Sequence, residues 1–100
     1  SIEASYGGGT FTTKPLLFSG SRLVINAETS AVGGIRCEIQ DASGKPLDGF
    51  RGEDCVVFYG DEIAHTVRWQ GGTDLSKLAG KPVRLYFQMN DSDLYSIRFR

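Results

Sequence analysis

The amino-acid sequence predicts an all-β fold: a two-layer antiparallel β-sandwich of jelly-roll type with at most one short helical turn. Three observations point there. Apolar residues recur at every second position in several runs, turn-forming Gly, Asp and Asn separate those runs, and no segment carries a long helical period. The clearest run is 83–89, where Val83, Leu85, Phe87 and Met89 share one side of an extended chain and Arg84, Tyr86 and Gln88 the other. With 95–99 it reads as a pair of strands joined across 90–94.

Further runs repeat the pattern. Thr10 to Lys14 can form a short strand after the glycines 7–9, and Pro15, which lacks an amide donor, suits an edge or the entry to Leu16, Leu17 and Phe18. Residues 19–21 form a turn. Leu23, Ile25 and Ala27 then face one way with Asn26 and Glu28 opposite, and beyond a break over 29–34 the inward set is Ile35, Cys37 and Ile39. These two runs predict central strands of one sheet. In 41–44 Asp41 can accept from backbone two residues on, and Gly44 can take positive φ. Leu47 and Phe50 lie on a brief extended element, whereas periodicity leaves the apolar island 56–59 open between a strand and an irregular packing loop. His65, Val67 and Trp69 resume the alternation on one side. Thr73 or Asp74, Leu75, Leu78, Gly80 and Pro82 have the punctuation of a single helical turn.

Size and composition set bounds. One hundred residues predict one domain over 1–100, and a 40% hydrophobic fraction with 11% aromatics predicts a packed core. Eleven Lys and Arg against twelve Asp and Glu leave a formal net charge of -1 with no basic stripe, which predicts no nucleic-acid face. No apolar run approaches the roughly 20 residues of a bilayer-spanning helix, so membrane insertion is not expected either. Cys37 shares parity with Ile35 and Ile39 and reads as a buried thiol; a disulfide to Cys55 is the alternative and needs neighbouring Cβ atoms.

Beyond periodicity, segments 12–16 (TTKPL), 20–26 (GSRLVIN), 38–50 (EIQDASGKPLDGF), 53–55 with 60–61, 67–75 (VRWQGGTDL), 78–85 (LAGKPVRL) and 91–99 (DSDLYSIRF) form an ordered series of turns. In that order they resemble the terminal β-sandwich module of bacterial proteins related to glycoside hydrolase family 32, over nearly the whole chain. In that family the sandwich follows a five-bladed β-propeller that carries the catalytic carboxylates. The resemblance therefore implies a non-catalytic accessory module whose partner is a catalytic domain of the same parent protein, a β-propeller, in a secreted or cell-envelope setting.

The residues themselves offer few reactive constellations. Glycoside hydrolysis needs two carboxyl groups about 5 to 9.5 Å apart across a cleft. The candidates Glu53, Asp54, Asp61, Glu62, Asp91 and Asp93 include two adjacent pairs, whose members face opposite ways on an extended chain. An independent hydrolase is thus the third-ranked function. Asn90, Asp91 and Asp93 could offer oxygens to calcium, or serve the backbone of a tight turn. One histidine and two cysteines make no convincing zinc set, and no cofactor is expected. Aromatic rings are the remaining recognition chemistry, because sugar faces stack on them while polar neighbours fix orientation. Tyr86, off the apolar parity between Arg84 and Gln88, Tyr59 and Tyr6 beside turns, and Trp69 are the candidates for holding a glycan, although the parity of Trp69 also fits the core. Two functions lead: an accessory module packing against a catalytic domain, and a carbohydrate-binding module.

Overall fold

The computed structural model describes residues 2–100, with the side chains of 9–60 and 64–100. The protein is all-β, built on one antiparallel sheet of four strands: β1 (Ile2–Thr12), β2 (Leu23–Asp41), β3 (Asp61–Thr66) and β4 (Val83–Phe99), in the order β1-β4-β2-β3. Two single 3-10 turns complete the regular structure. One, Ser76–Leu78, stands where the punctuation predicts it, and the Asp74 carboxylate accepts the Ser76 amide at 2.9 Å. The other, Gly52–Asp54, lies in the polar stretch between Phe50 and the apolar island 56–59.

The strand pattern holds, but the breaks at 29–34 and 90–94 are not turns. Runs 22–28 and 35–40 are halves of one strand, β2, and the expected strand pair 83–89 and 95–99 is one continuous strand, β4. Thr29 pairs with Ser92 and Gly34 with Asn90, so residues 30–33 of β2 face Asp91 alone in a wide bulge. Both interruptions fall at the same level of the sheet, and each strand passes through while keeping its partner. Backbone contact holds the bulge: a Cβ on Gly33 would collide with the carbonyl oxygens of Asn90 and Asp91, and only glycine permits that approach. Asp91 takes a positive φ of 43°, and its Oδ2 accepts the Ser30 hydroxyl at 3.2 Å. A second bulge sets Ala27 opposite Leu94 and turns Tyr95 out of the core row, where its hydroxyl donates to Glu28 at 2.6 Å.

One sheet face is dry. Leu23, Ile25, Ile35, Cys37 and Ile39 of β2 meet Leu85, Phe87, Met89, Leu94 and Ile97 of β4 in the core, each large side chain contributing about 1.5–3 kcal/mol when fully covered. The layer over that face comes from connecting segments. They supply Phe18, Cys55, Phe58, Val67, Trp69 and Leu75, and join the sheet through isolated bridges such as Ile35 with Phe58 and Leu16 with Val83. The island 56–59 is therefore an irregular packing segment with one bridge.

Trp69 and Cys55 have a specific task in this layer. Along the edge of β2 that faces 45–58, Ile35 exchanges backbone hydrogen bonds with Phe58, and Ile39 donates to Phe50 and accepts from Leu47. Between them Cys37 is served by side chains instead. Its amide donates to the Cys55 sulfur at 3.3 Å and its carbonyl accepts the Trp69 indole N–H at 2.9 Å. An edge that would otherwise bury an unpaired donor and acceptor is closed. Burial pushes the Cys37 thiol well above the ordinary thiol range, with Cys55 and Glu38 adding to the shift, and burial likewise raises Cys55. Both cysteines are free thiols.

Candidate functional site

The bulge opens a trough across the outer face of the sheet. It has a volume of about 450 Å³, within the size range of small-ligand sites, and runs from Gly9 and Thr10 of β1 across β4 and β2 to Val57 and Tyr59. Alternation explains its polar floor. Gln88 and Asn90 of β4 and Arg36 of β2 have the parity opposite to the core row, and the register sets Arg36 directly across from Gln88. Val32, at the apex of the bulge, is 84% exposed and forms an apolar rim.

Tyr59 supplies the ring. It is 66% exposed, yet it is anchored from below: a Cβ on Gly34 would lie 2.7 Å from Val57 Cγ1 and 3.3 Å from Tyr59 Cε1. The bare backbone at Gly34 lets valine and tyrosine settle against β2 and leaves much of the tyrosine free for a ligand. Neighbouring hydrogen bonds brace the segment, since the Gly60 amide donates to Thr29 Oγ1 at 2.8 Å and Thr29 N–H donates to the Gly60 carbonyl at 2.6 Å. A second hollow of about 390 Å³ on the other side of Val57 is lined in part by His65 and Arg68. There the His65 ring packs 4.4 Å from Phe58 and is half-buried, in keeping with its parity.

The sequence-predicted aromatics separate into different roles. Tyr59 lines the trough. Tyr86 lies on the same outer face, two residues from Gln88 and opposite both Glu38 and Thr12, half-buried and outside the trough lining. Trp69 is a correction: 1% exposed, with its N–H committed to Cys37 and the Phe50 ring edge-on at 5.5 Å, it cannot present a stacking face. Tyr6 pairs with Leu94 through the backbone, and its side chain lies outside the described residues.

Among the described residues, the trough lining contains no carboxylate. Asp54 accepts the Arg51 amide at 3.2 Å, Asp91 binds Ser30, and Glu53 is exposed on the Gly52–Asp54 turn. The side chains of Asp61 and Glu62 lie outside the described residues. The turn assigned to Asn90, Asp91 and Asp93 is replaced by continuous strand: Asn90 lines the trough, Asp91 reaches across the bulge, and Asp93 pairs with Gly7 and Glu28. Among the described residues, no three His, Cys, Asp or Glu side chains come together as metal ligands.

Sequence reasoning missed Arg36, Gln88, Asn90 as a trough residue, and Gly34. Alternation sets Arg36 and Gln88 outward, whereas Gly34 and Asn90 fall in the expected breaks, and only the pairing of β2 with β4 assembles all four around Tyr59. Comparison of the chain with protein-family models, with curated proteins and with solved structures finds no match.

Proposed function

We propose that the protein is a non-catalytic module of a carbohydrate-processing protein and that it holds a saccharide in the trough beside the bulge. One observation carries this reading: an exposed ring anchored on backbone glycine lines the same trough as a guanidinium and two carboxamides. The apolar face of a pyranose can stack on Tyr59 while its hydroxyls exchange hydrogen bonds with Arg36, Gln88 and Asn90. The likeness to accessory modules of glycoside hydrolase family 32 relatives supports the setting.

The test is a titration of isotope-labelled protein with a glycan panel, followed by amide chemical shifts. Shifts at Gly33, Gly34, Arg36, Gln88 and Asn90, lost in Tyr59→Ala, are expected; silence at these amides across the panel refutes the reading. The same preparation is expected to leave aryl glycosides and fructans intact, and turnover of either would refute the non-catalytic assignment.

The exposed apolar rim favours a second reading. Val32, on the trough rim, is 84% exposed and Val56, on the second hollow, 47% exposed, and together they offer apolar surface that could pack against a catalytic domain of the parent protein. Changing both to Asp would weaken association with that domain supplied in trans while leaving the fold of this chain intact. Unchanged association would remove the docking reading.

A further inference from the structure

We infer that the trough selects a saccharide bearing a carboxylate, a uronate, and that Arg36 is the residue that pairs with it; this rests on the saccharide-binding reading above. Among the described residues, Arg36 is the one formally charged side chain at neutral pH in the trough lining. It is exposed and makes no hydrogen bond or ion pair among the described residues, where the single salt bridge is Arg51 with Asp48.

Two described carboxylates nearby are already engaged. Glu38, two residues along the same face, accepts the Gly52 amide at 3.1 Å on Oε1 and the Gln40 carboxamide at 2.9 Å on Oε2. Asp91 Oδ2, at the bulge, accepts from Ser30. A neutral sugar would offer Tyr59, Gln88 and Asn90 all they need, but would give the guanidinium only hydroxyl oxygens and leave its charge uncompensated. A sugar carboxylate matches its planar fork with two parallel N–H···O bonds. Stacking on Tyr59 and the pairing across from Gln88 then address different parts of one ring, the flat face and the C6 group.

The proposal is tested with three pairs of trisaccharides, the galacturonate, glucuronate and mannuronate trimers and their methyl esters, titrated at low salt against the wild-type chain and Arg36→Gln. Trough amides report binding. At least one acid is expected to bind about tenfold tighter than its ester, the size of one charge-assisted interaction at an exposed site. That preference should shrink at 0.5 M salt and fall within about twofold in Arg36→Gln, while ester binding persists. Equal affinity of every acid and its ester would overturn the carboxylate inference and leave saccharide binding standing. No trough shifts with any acid or ester, while other sugars of the panel do shift them, would also overturn it; no shifts with any sugar would overturn both. A preference that survives in Arg36→Gln would remove Arg36 from the role, and tighter binding of a sulfated trimer than of every uronate would assign the site to a different anion.

Discussion

Replacing Trp69 with Phe tests whether a side chain truly closes the edge of β2. Phe retains a six-membered ring against Phe50 but removes the pyrrole and its N–H, so the Cys37 carbonyl loses its 2.9 Å donor inside the core. A buried acceptor left unpaired costs about 1–3 kcal/mol. The space vacated by the pyrrole adds about 0.5–1.5 kcal/mol, comparable to trimming one methyl group in a packed interior. The total, about 1.5–4.5 kcal/mol, corresponds to a fall in melting temperature of about 6 °C or more for a domain of this length. Urea unfolding followed by far-ultraviolet circular dichroism reads it, because Trp69 is the only tryptophan and its fluorescence disappears with the substitution. Faster amide exchange at Cys37 and Ile39 should accompany the loss, localising the damage to this edge. A change below about 0.5 kcal/mol at unchanged m-value would refute the reasoning, since an orphaned carbonyl in a dry core cannot be that cheap.

Other perturbations follow from the same geometry. Gly33→Ala should destabilise the protein strongly in urea, because a methyl group there meets two carbonyl oxygens, whereas Gly34→Ala should keep a native circular dichroism spectrum yet weaken saccharide binding by displacing Val57 and Tyr59. Tolerance of alanine at 33, or unaltered binding with alanine at 34, would contradict this placement. For the thiols, the unfolded chain releases protons near the ordinary value of 9.0 while the folded chain, with both thiols raised, holds them. Their contribution is therefore fully present below 9.0 and is lost as pH rises toward the folded values. Urea midpoints measured from pH 8 to 10.5 should fall less steeply in Cys37→Ala/Cys55→Ala than in the wild type, and identical slopes would contradict the assignment. Iodoacetamide at pH 8 should likewise label both cysteines only after urea is added.

Local chemistry made much of this fold legible. Alternation assigned the inward rows of 23–27, 35–39 and 83–89 correctly, since a strand with one dry face must place apolar groups at every second position. Turn chemistry was equally direct at Asp41, whose Oδ1 accepts the Ser43 and Lys45 amides at 2.9 and 3.0 Å, with Gly44 at φ 93° completing the turn. These features depend on neighbours within a few residues. The two long strands did not reveal themselves this way. A stretch such as Asn90, Asp91, Ser92 and Asp93 suits a reversal or a bulge equally well, and the choice depends on whether the second half of the strand pairs with the first or with a remote partner.

The sequence by itself determined the period of the strands, the positions available to turns, and which side chains were apolar enough to enter the core. Tertiary structure alone decided that the breaks in β2 and β4 meet at one level, that Trp69 faces a carbonyl instead of a ligand, and that Arg36, Gln88 and Tyr59 surround one trough. The reason is physical. Side-chain parity follows from the geometry of a single extended chain, but register and edge closure arise only when segments distant in sequence compete for the same backbone donors and acceptors.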